Sequence, residues 1–110
     1  MSISDTTLHA QWCRERNADA FTELVYRHSA MVYSTCVRIL HNTSIAEEAA
    51  QDSFIELMNA TRPIKPSVGG WLHTVAARRA VDRLRSESSL RASLRASPIG
   101  FSRKEWSKVA

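Results

Sequence analysis

From Asp19 to Leu40 the apolar residues Phe21, Leu24, Val25, Met31, Val32, Cys36, Ile39 and Leu40 recur at helical spacing, with His28 in the same series. A stripe with that period predicts an amphipathic helix of about five turns. Asp19 is its expected N-cap, and its end is expected near His41 and Asn42, where an Asn can take left-handed geometry. A second stripe runs through Ala46, Ala49, Ala50, Ser53, Phe54, Leu57 and Ala60, which share one side when residues are placed about 100° apart. Ser44 and Glu47 have capping-box spacing, so this helix is expected over Ser44 to Ala60. Ser4 to Arg16 forms a shorter first helix, in which Leu8, Trp12 and Cys13 fall together. Thr61 to Gly70 (TRPIKPSVGG) breaks the period with two prolines and two glycines and is a loop. Trp71 to Arg85 (WLHTVAARRAVDRLR) resumes it, with one strip at Leu72, Val75 and Ala76 and another at Ala77, Ala80, Val81 and Leu84. The fold class predicted is all-α, a small bundle of three to four helices.

The side of Ser44 to Ala60 that points away from its buried stripe is unusual. Glu48, Asp52, Ile55 and Asn59 lie along it, flanked by Gln51 and Glu56, so a branched apolar residue sits among carboxylates and amides. Such a surface suits docking to a partner. A single exposed isoleucine is also ordinary on a protein surface, and the pattern alone leaves both readings open.

With 110 residues and 44% hydrophobic composition, the chain is large enough for one modest core. Three glycines and three prolines leave little room for the turns of a β-rich fold. Cys13 and Cys36 are far apart, with neither CxxC spacing nor clustered histidines, so no zinc site, other metal or disulfide framework is expected and both thiols read as buried and reduced. His28, alone in an apolar stripe, reads as a packed or rim residue. No nucleophile, base and orienting group converge by motif and no phosphate-binding glycine loop follows a strand, so neither an enzyme nor a cofactor is indicated. No signal-peptide core or long apolar run is present, which places the expected product in the cytoplasm, with no membrane partner.

Charge is polarised along the chain. Residues 1–73 carry a formal −2 and residues 74–110 a formal +6, so a mildly acidic body bears a basic end. Basic segments attract phosphate, although a solvated basic tail gives the same count. In the loop, Pro63 and Pro66 restrict Arg62 and Lys65 to extended geometry and hold them outward. In the following helix Trp71, Thr74, Arg78 and Arg85 share a stripe, and Asp82 is spaced to pair with Arg78 and Arg85. An indole beside arginines is suited to stacking bases and holding phosphates; it is equally suited to the rim of a core.

The ordered series DAFTELVYRH, AEEAAQDSFIELM, a Pro/Gly loop and GGWLHTVAARRAVDRLR resembles the second conserved region of bacterial sigma-70 family factors of the extracytoplasmic-function group. AEEAAQDSF is similar to that family's A-E-D-x-x-Q-E-x-F, and WLHTVAARRAVDRLR to its W-L-x-x-I-A-x-N-x-x-x-D-x-L-R. The resemblance covers roughly residues 18 to 87 and implies a domain that binds core RNA polymerase and recognises and melts the promoter minus-ten element. It implies that Glu48, Gln51, Asp52 and Glu56, with Ile55 in their midst, face the β′ clamp helices of the polymerase, and Asn59, on the same side of the helix by count, joins them as an expected polymerase-binding residue. By the same likeness Arg62, Lys65, Ser67, Trp71, Thr74, Arg78, Arg79 and Arg85 engage the single-stranded non-template minus-ten DNA. An inhibitory anti-sigma factor is a further partner that such a family allows.

The pattern departs in two places. Arg78 replaces the family's asparagine, and Arg79 a usually apolar residue. After Glu87 the chain reads SSLRASLRASPIGFSRKEWSKVA, which repeats Ser-Leu-Arg-Ala and leaves no room for the helix-turn-helix domain that normally follows. The organisation expected is a short N-terminal helix at 1–17, a region-2-like domain at 18–87, and a basic tail or linker at 88–110, with helix continuing as far as Pro98 or giving way to a disordered linker. The chain is then a fragment or an unusually short factor. Two other functions fit the residues: a helical DNA-binding regulator that never touches polymerase, and an adaptor whose acidic face binds a basic protein.

Overall fold

The computed structural model describes residues 2–95, with side-chain surroundings described through residue 86. Four helices follow one another: α1 (Asp5–Glu15), α2 (Ala18–Leu40), α3 (Thr43–Asn59) and α4 (Val68–Arg95). α2, α3 and α4 pack against one another, and α1 lies against α2. The all-α bundle expected from the periodicity is the fold observed. The repeated Ser-Leu-Arg-Ala stretch continues α4 as far as Arg95, and the remainder of the expected tail lies outside the described residues.

The core is drawn from the predicted stripes. Leu24, Val32 and Cys36 of α2 meet Ala46, Ala49 and Leu57 of α3 and Leu72, Ala76 and Ala80 of α4, all fully buried. The inner face of α3 is built from small residues, Ala46, Ala49, Ala50 and Ser53, so its neighbours approach closely along most of its length. Ser53 is buried without cost to its hydroxyl, which donates to the Ala49 carbonyl at 2.9 Å. Burying Leu57 and Leu72 contributes about 1.5–3 kcal/mol each.

The helix ends differ from expectation. α2 is capped by Asn17, whose Oδ1 accepts from the backbone N–H of Asp19 and of Ala20, and Asp19 already lies inside the helix. α2 stops at Leu40 with His41, and not Asn42, in the left-handed region at φ 53°. That abrupt stop leaves only His41 and Asn42 between the two helices, with Asn42 next to the start of α3. Its Oδ1 accepts from Ile45 N at 3.1 Å, making it the cap of α3. Ser44 is therefore within the first turn and Glu47 is too far along to reach back, so the capping box read from the sequence does not form.

α4 begins three residues earlier than predicted. Ser67 Oγ accepts from Gly70 N at 3.0 Å, which lets the helix start at Val68 although two glycines follow. Gly69 also permits a close approach: a Cβ there would lie 3.3 Å from the His28 ring of α2. His28 is half-buried at this junction, with Nε2 2.7 Å from Asp5 Oδ2, and Arg27 Nη1 lies 3.1 Å from Asp5 Oδ1. His28 is thus the rim residue expected of it, joining α1 to α2. Among the described residues no helix is long and apolar enough to cross a membrane, and no group of three or more His, Cys, Asp or Glu side chains is placed to hold a metal.

Candidate functional site

The outer face of α3 is centred on Ile55, 51% exposed, with Gln51 and Asn59 exposed beside it. The core residues of α3 lie on the opposite side, so nothing in the bundle can receive Ile55 without turning the helix. Towards α2 the face continues into a shallow groove where Val25, Tyr33, Phe54 and Met58 come together. Towards α4 it ends in a row of ion pairs.

These ion pairs are the main feature the sequence did not announce. Arg83 donates from Nε and Nη2 to Asp52 Oδ2, at 2.9 and 2.6 Å, and from Nη1 to Glu48 Oε2 at 2.9 Å. Glu56 Oε1 accepts from Arg78 and, at 3.4 Å, from Arg79. Glu48, Asp52 and Glu56 therefore belong to a charge ladder that ties α3 to α4, while Ile55, Gln51 and Asn59 face solvent. The expected pairing of Asp82 with Arg78 is not formed, because Glu56 across the interface takes Arg78 instead; among the described residues Asp82 makes no ion pair with Arg85 either. Asp82 lines the cleft between α3 and α4 alongside Arg79 and Arg83. Arg83 had no assigned role because its partners are more than thirty residues away in sequence, at |i−j| of 31 and 35. The row is not fully satisfied: Glu56 Oε2 and Arg79 Nε are buried without a hydrogen-bond partner among the described residues.

The loop between α3 and α4 collects the basic and aromatic residues. Arg62 and Lys65 are exposed and line a hollow with Ala60, Thr61, Pro63, Ile64 and the half-buried Trp71. The Lys65–Pro66 peptide is cis. Trp71 also packs on the core, the rim position that is one of the two expectations for it. Thr74, Arg78 and Arg85 follow along the exposed side of α4, and Thr74 Oγ1 donates back to Gly70 O at 3.2 Å. Ser67 is exposed at the head of the helix, with its hydroxyl accepting as the cap. Arg78 and Arg79 both reach Glu56, Arg78 from an exposed position and Arg79 from a half-buried one.

The loop is anchored by α1. The carbonyls at the C-terminal end of α3 have no partners within the helix. His9 Nε2 donates to Ala60 O at 3.1 Å, Cys13 Sγ donates to the same oxygen at 3.2 Å, and Trp12 Nε1 donates to Met58 O at 2.9 Å. Trp12 in turn packs against Phe21 of α2, with ring centroids 5.0 Å apart and planes tilted by 40°, and lies under Arg16. Cys36 is fully buried as expected, and desolvation pushes its thiol pKa up. Cys13 is only half-buried, at the edge of a cleft between α1 and the loop, which corrects the expectation of two buried thiols.

Comparison with known proteins fits this geometry. Residues 24–90 match the family model for sigma-70 region 2. The ECF RNA polymerase sigma factor SigK of Mycobacterium sp. (strain KMS) is 39% identical over 78 residues, covering 68% of this chain and 40% of the relative. SigK of Mycolicibacterium vanbaalenii is 39% identical over 89 residues, 78% of this chain and 44% of the relative. SigK of Mycobacterium tuberculosis (strain ATCC 25177 / H37Ra) is 38% identical over 73 residues, 64% of this chain and 39% of the relative. No solved structure matches with significance. The chain spans less than half the length of these relatives. With the family match running from the second turn of α2 into α4, the chain belongs to the sigma-70 family, extracytoplasmic-function group, and carries its region 2.

Proposed function

We propose that this domain docks on core RNA polymerase through the outer face of α3 and engages the non-template strand of the promoter minus-ten element through the 60–67 loop and α4. The observation that carries the proposal is Ile55, held half in solvent at the centre of a polar helix face. An apolar centre within a polar rim is the usual layout of a protein interface. Gln51, Asn59 and the outer edges of Glu48, Asp52 and Glu56 form that rim, and a basic coiled-coil surface complements it. Arg62, Lys65, Trp71, Thr74, Arg78 and Arg85 lie along one course from the loop down α4, where cations hold the backbone and the indole offers a stacking surface. Arg78 and Arg79 both pair with Glu56, so each reaches the strand fully only when released from that carboxylate.

The test is assembly of the full chain with core polymerase and a promoter oligonucleotide carrying an unpaired minus-ten segment. The wild-type chain forms the ternary complex. Ile55→Glu, folded by circular dichroism, forms none, and the pair Arg62→Glu with Lys65→Glu keeps the polymerase and loses the oligonucleotide. A chain that takes up the oligonucleotide and never the polymerase is a DNA-binding regulator and overturns the proposal.

A further inference from the structure

We propose that the cleft between α1 and the 60–67 loop is a second contact site for single-stranded nucleic acid, with Arg14 as its phosphate-binding group. This rests on the nucleic-acid reading of the loop and extends it to a helix that lies outside the matched residues 24–90.

Charge distinguishes this cleft from others on the surface. The cleft between α3 and α4 is lined by Glu48, Asp52 and Asp82, and the groove between α2 and α3 by Glu47. The α1–loop cleft has no carboxylate in its lining, and neither does the hollow beside Trp71 on the other side of the loop. Arg14 on α1 and Arg62 on the loop both border the α1–loop cleft. Both are exposed, and neither makes an ion pair or side-chain hydrogen bond among the described residues. Two unneutralised guanidinium groups on one cleft favour a polyanion.

The remaining lining suits a nucleotide more than a bare anion. Pro63 and Ile64 give an apolar surface for the face of a base, and the hydroxyls of Thr6 and Thr61 can bond its polar edges or the sugar. Arg62, Pro63 and Ile64 border both this cleft and the hollow beside Trp71, so one strand laid across the loop passes from one to the other. The walls are also set in advance, because His9 and Cys13 of α1 grip the Ala60 carbonyl at the root of the loop. A cleft already held open loses less ordering entropy when it is filled.

Cys13 provides a built-in reporter, since its half-buried thiol borders the cleft while Cys36 is fully buried. The full chain is treated with iodoacetamide with and without an oligothymidylate of about 12 nucleotides, within the usual site size of single-strand binders. The same oligonucleotide is titrated across a salt series against the wild-type chain, Arg14→Gln and Arg62→Gln. The inference expects the oligonucleotide to slow Cys13 alkylation several-fold, and Arg14→Gln to reduce the log–log salt slope by about 0.7, one single-strand phosphate contact. If Arg62→Gln flattens the slope while Arg14→Gln does not, or if Cys13 reacts at an unchanged rate, the cleft is no part of the site and the loop assignment stands alone. If neither variant changes the slope, the loop assignment falls as well. Protection of Cys13 by polyglutamate and not by the oligonucleotide makes the cleft a site for an acidic protein and overturns the inference.

Discussion

Replacing Arg83 by methionine removes a guanidinium that serves two carboxylates in different surroundings, so the structure makes unequal predictions for the two pairs. Asp52 receives two of its N–H bonds on one oxygen, and the two side chains are 29% and 36% exposed. Glu48 receives one bond, and its side chain is 60% exposed. Two unit charges about 4 Å apart gain about 4 kcal/mol at an effective dielectric of about 20. Desolvation and the ordering of an arginine, worth about 2 kcal/mol of rotamer freedom, offset much of that. For the Asp52 pair the net coupling comes to about 1 kcal/mol. For the Glu48 pair solvent screening leaves less than about 0.5 kcal/mol. Double-mutant cycles with Arg83→Met, Asp52→Asn and Glu48→Gln, read by urea denaturation, separate the two values. A coupling of about 1 kcal/mol corresponds to about 4–8 °C in Tm for a domain of this size. In about 1 M salt, where the screening length is about 3 Å, the Glu48 coupling vanishes first. Equal couplings for the two carboxylates, or none for Asp52, would refute the claim that this ladder ties α3 to α4.

Two further predictions concern local structure. Asn42→Ala lowers the stability of the fold by about 1 kcal/mol, while Ser44→Ala leaves it nearly unchanged, both read as shifts in urea midpoint at constant slope. Cys36 has a pKa raised by burial above its ordinary 9.0, so the native state holds a proton that the unfolded state gives up above that pH. Its contribution is complete below pH 9 and is lost as pH rises further, with a slope of up to about 1.4 kcal/mol per pH unit that Cys36→Ala removes.

The core was legible because each helix buries one stripe, and Leu24, Val32, Leu57 and Leu72 could be placed inward by counting. Ile55 could be placed outward by the same counting. The helix ends were not, because a cap depends on where the preceding helix stops: once His41 turns left-handed, Asn42 is the only residue left to cap α3, whatever spacing Ser44 and Glu47 have. The charge ladder was also hidden. Arginines three and four residues from an aspartate suggest a pair within one helix, yet Arg78 meets Glu56 and Arg83 meets Asp52 across the α3–α4 interface, which periodicity within one helix cannot show. The anchoring of the loop by His9, Trp12 and Cys13 was missed for the same reason: it joins residues 46 to 51 apart in sequence.

The direct test of polymerase docking uses two isoleucines of nearly equal exposure, Ile55 at 51% on the outer face of α3 and Ile3 at 49% before α1. Each is changed to glutamate in the full chain, and the Kd for core RNA polymerase is measured by titration. A charge at the centre of an interface costs more than about 2 kcal/mol, so Ile55→Glu weakens binding by about 30-fold or more while Ile3→Glu binds as the wild type does. Unchanged binding by a folded Ile55→Glu chain, or equal losses from both substitutions, would contradict the account.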